Sequence, residues 1–173
     1  KNIPSSTKRS KYLDIITQHI SSKEIIFLTG LRRVGKTTIL LQQIETLLKE
    51  NDPTSILFIN LDSFALLEYS IHDIIEEYRK IFKKSRDDFF YLFLDEVTSK
   101  EHFEKELKSL YDVDNVKIFC TSSIATLMKD KKALLTGRTI TIEVLPLDFQ
   151  EFLEFKNVTV TKADSAKLQG YFE

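Results

Sequence analysis

The chain has 173 residues, room for one domain and the start of another, and its 42% hydrophobic content is ample for a core. Twenty-five basic residues against 26 acidic ones give a formal charge of −1, which excludes a chain built as a basic footprint for nucleic acid or anionic membrane. Nucleic-acid contact is supported only weakly, by the short basic runs 83–86 and 129–132.

No apolar run approaches the span of a membrane helix, and the first residues lack a secretory pattern, so the expected setting is cytoplasmic. The single cysteine, Cys120, can make no internal disulfide and reads as a buried thiol in a strand.

Ser10 to Ile20 has helical periodicity, with Tyr12, Ile15, Ile16 and His19 sharing one face, so His19 is expected to pack rather than ligate. An apolar strand follows from Glu24 to Thr29. Next comes Gly30-Leu-Arg-Arg-Val-Gly-Lys-Thr37, a full match to the phosphate-binding pattern G-x-x-x-x-G-K-[ST]. Leu40, Ile44, Leu47 and Leu48 give the next helix its apolar stripe, and Asn51-Asp52-Pro53 stops it.

The spacing of that octapeptide has a physical reason. A diphosphate needs several backbone N–H groups converging on it, in a turn that a Cβ would block at the glycine positions. Gly30, Leu31, Arg32, Arg33, Val34, Gly35, Lys36, Thr37 and Thr38 are therefore the candidate binding residues. The helix start near Lys36 adds its unpaired N–H groups and dipole, and Lys36 adds a mobile charge for the β- and γ-phosphates. The Thr37 hydroxyl is a hard oxygen suited to Mg²⁺, with Thr38 as the second candidate.

A second strand runs Ser55 to Asn60, with Asp62 just beyond it read as a turn or cap residue. Ser70 to Asp73 has capping-box spacing and opens a helix whose stripe is Ile71, Ile74, Ile75, Tyr78 and Phe82. The third strand, Phe89 to Leu94, runs straight into Asp95 and Glu96. Acids at the carboxyl end of such a strand lie where open α/β sheets bind ligands. Asp95 is the candidate metal residue and Glu96 the candidate base that deprotonates water.

Thr98 to Glu101 again has capping-box spacing, ahead of a helix carrying Phe103, Leu107, Leu110 and Tyr111. The fourth strand is Val116 to Cys120, followed by a short helix Ile124 to Lys129, a fifth strand Thr139 to Leu145 and a helix Asp148 to Phe155. Strands that alternate with helices, with apolar runs little broken by polar residues, predict an α/β fold: a mainly parallel five-stranded sheet covered by helices on both faces.

With these pieces in place the chain resembles a prokaryotic AAA-type P-loop ATPase of the family called AAA_14 or archaeal-type ATPases. The resemblance is carried by residues 30–38, Leu94-Asp95-Glu96-Val97, Thr121-Ser-Ser123, Leu135-Thr-Gly137-Arg138 and Leu145-Pro-Leu-Asp-Phe-Gln-Glu-Phe152. It implies the three-layer P-loop NTPase fold of the ASCE division, with the fourth strand between the first and third, and ATP with Mg²⁺ as cofactors. It places the end of the fourth strand beside the γ-phosphate, where Thr121 or Ser122 would position water, Ser123 being the alternative as a helix cap. Arg138 would face phosphate or a neighbouring subunit, which makes a homo-oligomer or another protein the expected partner.

The resemblance divides the chain into an ATPase domain over 1–146 and a helical segment over 147–173 leading to a carboxy-terminal domain absent from this sequence. Beginning on Lys1 and ending at Glu173 inside a helical pattern, the chain is expected to be a piece of a longer protein. Three other readings stand beside the ATPase. Thr161-Lys-Ala-Asp164 imitates a guanine-recognition tetrapeptide, but Thr98 stands where a GTPase carries glycine. A small-molecule kinase would need an arginine-bearing lid. A nucleotide-controlled switch with slow hydrolysis shares every motif.

Overall fold

The computed structural model describes residues 7–123, 132–156 and 158. Helix α1 (Ser10–Gln18) precedes β1 (Ile25–Thr29), α2 (Lys36–Leu47), β2 (Ile56–Asn60), α3 (Ile71–Phe82) and β3 (Phe90–Asp95). Then come α4 (Phe103–Val113), β4 (Val116–Ser122), β5 (Thr139–Glu143) and α5 (Phe149–Phe155). The strands form one sheet in the order β2-β3-β4-β1-β5, every pairing parallel. The expected insertion of the fourth strand between the first and third is therefore met.

Alternation along the strands builds two apolar layers, because successive side chains of a strand point to opposite faces. Ile25 and Phe27 of β1, Leu92 and Leu94 of β3, and Ile118 and Cys120 of β4 pack with α3 and α4. Ile26 and Leu28, Phe93 and Phe119 point the other way, onto α1 and α2. The rings of Phe93 and Phe119 stack with centroids 4.4 Å apart. Each such fully buried ring contributes about 1.5–3 kcal/mol of transfer free energy. Cys120 is buried as expected, and burial pushes its thiol pKa up.

Local signals set several helix ends. Ser70 and Asp73 form the reciprocal capping box read from the sequence, and Asp148 with Glu151 forms a second one at α5. The box expected at Thr98–Glu101 is absent: Val97–Ser99 makes a single 3₁₀ turn, and α4 starts after His102, which is left-handed at φ +58° and caps with no side chain. Thr98 is instead drawn to Ser122, their hydroxyls 3.2 Å apart, so a tertiary contact overrides the local box. The expected helix 124–129 and the tetrapeptide 161–164 lie outside the described residues. No helix among the described residues is long and apolar enough to cross a membrane.

Burial of a cation was not visible in the apolar pattern. Lys117 of β4 is 3% exposed, and its ammonium donates to the carbonyls of His19, Ser22 and Glu24 at 2.8, 2.7 and 2.7 Å. Burial pushes its pKa down to about 8, against the charge of Glu24, which raises it. It ties the α1–β1 turn to the sheet. Lys117→Met keeps the stem and strands those acceptors, so urea unfolding is expected to show a loss of about 1–3 kcal/mol.

Candidate functional site

The octapeptide occupies the turn from β1 into α2, at the carboxyl end of the sheet. Gly30 has φ +145° and Gly35 φ +96°, both in the region that penalises a side chain. A Cβ on Gly30 would also strike the backbone carbonyl oxygen of Val144, the residue that follows β5. Val144 donates its N–H to the Thr29 carbonyl at 2.7 Å, so the loop is backed by the tail of β5. Arg33 adopts φ +66° without being glycine, a further sign of a loop held in a fixed shape. Gly35 caps α2, whose amino end receives no side-chain cap, leaving the first-turn N–H groups to the loop interior.

Lys36 is 4% exposed and folds back on the loop, donating to the Gly30 carbonyl at 3.1 Å and the Leu31 carbonyl at 2.8 Å. Its third partner is the Ser123 hydroxyl at 2.9 Å. Burial lowers its pKa, the carboxylates of Glu96 and Asp95 raise it, and the nearby Arg32 lowers it. The Thr37 hydroxyl reaches both carboxylate oxygens of Asp95, at 3.0 and 2.9 Å.

Asp95 is 4% exposed and held from a second side by the Thr121 hydroxyl, which donates to Oδ1 at 2.6 Å. The same Thr121 oxygen accepts the Glu96 N–H at 2.8 Å, so one side chain fixes the orientation of both acids. Glu96 itself is left-handed, at φ +53°. Its carboxylate takes the Ser123 N–H at 3.1 Å and is bonded again by the Ser123 hydroxyl.

Ser123 is thus the junction between Lys36 and Glu96, and the sequence reading placed it only as a helix cap. Its signal was position alone, one residue past the last residue of β4. Thr121 lies fully buried under the acids rather than facing the cleft, and Ser122 faces Thr98. Beside this network opens a cleft of about 390 Å³ lined by Arg32, Arg33, Asp62, Glu96, Thr98, Ser99 and Ser123. Asp62 sits in a turn, its N–H on the Asn60 side-chain oxygen at 3.1 Å, and still borders the cleft. Thr38 is the third residue of α2 and is half-buried.

Arg138 is not with these residues. It precedes β5, its carbonyl accepts the Ile25 N–H at 2.8 Å, and Thr139 registers with Ile25 at the amino end of β1. Four strand steps of about 3.3 Å separate that level from Thr29, so Arg138 lies at the end of the sheet opposite the phosphate loop. Its Nε meets Asp112 at 3.2 Å and its guanidinium lies over the Tyr111 ring. Of its two expected places, the phosphates of its own chain are therefore excluded, and within the chain its guanidinium pairs with Asp112 at the surface.

The residues fit a nucleoside triphosphate with Mg²⁺. The loop has a cradle that a Cβ would fill, and among the described residues its ammonium donates to neutral oxygens, which an anion can displace. A hydroxyl and a carboxylate in contact supply hard oxygen donors, the set Mg²⁺ takes beside phosphates.

Fold and site together define a nucleotide-binding domain of the P-loop ATPase class. Residues 22–153 match the AAA domain family, and the chain belongs to it. Uncharacterised proteins of Methanocaldococcus jannaschii are similar at 31% identity over 80% of this chain and 34% over 90%, and one of Haemophilus influenzae at 30% over 95%. Those alignments cover 29%, 34% and 42% of the relatives, so the chain spans about a third of the curated proteins it matches.

Among solved structures, AMPPCP-bound DnaA from Aquifex aeolicus superposes with TM-score 0.56 at 21% identity, over 92% of this chain and 55% of that one. The S. cerevisiae Hsp104-ADP complex superposes with TM-score 0.62 at 18% identity, over 89% of this chain and 24% of that one. At those identities they show a shared fold.

Proposed function

We propose that this domain binds ATP with Mg²⁺ and hydrolyses it. The observation that carries the reading is the convergence of Lys36 and Glu96 on Ser123, beside Thr37 in contact with Asp95. Residues 30–38 would enclose the phosphates through backbone N–H groups. Lys36 would exchange its loop carbonyls for phosphate oxygens, and Thr37 and Asp95 would hold the metal. Bound Mg²⁺ supplies charge neutralisation on the β- and γ-phosphates.

Glu96 would accept a proton from water as the water oxygen bonds to the γ-phosphorus and the bond to the β-phosphate oxygen breaks. Thr121, by fixing Asp95 and the Glu96 backbone, keeps the two acids in their separate roles. Adenine is favoured over guanine because Thr98 stands at the position where a GTPase has glycine. The adenine nucleotides named for DnaA and Hsp104 agree with that choice.

A second reading has its own support: the Glu96 carboxylate is occupied by the N–H and hydroxyl of Ser123, as in a switch that turns over slowly. Calorimetric titration tests the first premise of both. ATP with Mg²⁺ is expected to bind, GTP to bind more weakly, and chelation of Mg²⁺ to abolish turnover. Absence of heat with either nucleotide would remove the nucleotide site altogether.

A further inference from the structure

Arg9 lies outside every motif of the phosphate loop, yet all five of its guanidinium N–H groups are directed at three separate segments. Nε and Nη2 make a forked pair with the Glu151 carboxylate of α5, at 2.9 and 2.7 Å. Nη1 donates to the carbonyl of Val34, inside the phosphate loop, at 2.7 Å. Nη1 and Nη2 share the Leu145 carbonyl, past β5, at 3.2 Å each. The group is 3% exposed and lies 4.6 Å from the Tyr12 ring centroid, and the Tyr12 hydroxyl accepts the Leu145 N–H at 3.0 Å.

We propose that Arg9 is a positioning residue for the phosphate loop and that, through Glu151, it makes nucleotide affinity depend on the docking of α5. The reason is peptide geometry. In a trans peptide the carbonyl and the next N–H point in opposite directions, so fixing the Val34 carbonyl toward Arg9 turns the Gly35 N–H away from it. That N–H belongs to the candidate phosphate cradle. A Cβ built on Gly35 would stand 3.9 Å from Nη1, which shows how closely Arg9 supports the loop from behind.

Arg9 is itself pinned at the backbone: its N–H meets the Gln42 side-chain oxygen of α2 at 3.2 Å. The hydrogen bond from Arg9 is the first cause holding the Glu151 carboxyl below its ordinary pKa, so that carboxyl is ionised at neutral pH. Without Glu151 the buried guanidinium lacks its counter-charge and two of its acceptors, and its hold on Val34 loosens. Coupling is reciprocal: if docked α5 tightens nucleotide binding, bound nucleotide tightens the docking of α5 by the same factor.

This inference rests on the nucleotide-binding reading, and the experiment separates the two. A fluorescent ATP analogue is titrated into the wild-type chain, Arg9→Lys and Glu151→Gln, with folding checked by urea denaturation. Lysine keeps the charge but cannot span Val34, Leu145 and Glu151 at once. Both folded variants are expected to bind about tenfold more weakly, with turnover at saturating ATP within about twofold of wild type.

Amide hydrogen exchange in α5 is expected to slow on nucleotide binding in the wild type and to lose that response in Arg9→Lys. Unchanged affinity in a folded variant, or α5 exchange in the wild type that ignores nucleotide, overturns the proposal and leaves the binding site standing. Should Arg9→Lys fail to fold, Glu151→Gln decides by the same two criteria. No binding by the wild type overturns the functional reading, and this inference with it.

Discussion

Glu96→Gln is expected to lower multiple-turnover ATP hydrolysis by about 10²- to 10⁴-fold while leaving ATP affinity within a few-fold of wild type. Glutamine has the same length, keeps an oxygen for the Ser123 N–H, and leaves the bond from the Glu96 backbone N–H to Thr121 intact. What it lacks is a basic oxygen. The left-handed backbone at position 96 is no harder for glutamine than for glutamate, so fold stability is expected to hold. Steady-state phosphate release beside a binding titration checks both halves. Equal rates would mean that water is primed elsewhere; a parallel loss of affinity would mean that Glu96 serves binding rather than chemistry.

Lys36→Ala is expected to weaken ATP binding by about 100-fold or more, since charge-assisted bonds to phosphate are each worth about 1.5–3 kcal/mol. Without nucleotide the same change should leave the thermal midpoint nearly where it was. Its bond to the Leu31 carbonyl is only partly buried, and burial opposes the charge that alanine removes. The contrast appears on adding ATP. At 100 times its dissociation constant ATP should stabilise the wild type by about 2.7 kcal/mol, and at that concentration the variant should gain little. Equal ATP-induced shifts in both proteins would show that the nucleotide does not depend on this ammonium.

What the sequence disclosed follows the range of the interactions involved. The phosphate loop is eight consecutive residues, and Asp95 and Glu96 end an apolar strand, so both halves of the site were readable from local pattern. So was the Ser70–Asp73 cap, whose partners are three residues apart. Ser123 was missed in its present role because its partners Glu96 and Lys36 lie 27 and 87 positions away. Arg9 and Glu151 are 142 positions apart; Arg9 belongs to no pattern, and the local box that holds Glu151 carries no sign of its distant partner.

Arg138 is a different case. In a parallel sheet a residue that leads into one strand sits at the end opposite the residues that leave its neighbour. The β1–β5 pairing therefore sends residue 138 away from residue 30, but only once that pairing is known. The false box at Thr98 fell to a tertiary contact with Ser122, which no local rule weighs.

The close approach of Gly30 to Val144 has a consequence for synthesis. A nascent chain that has released residues 30–37 from the ribosome holds the full octapeptide but not the wall behind it, which is translated more than a hundred codons later. On the proposed function, ATP would then meet a loop that still lacks its backing from the tail of β5. Full affinity for nucleotide would then be expected only once β5 has emerged.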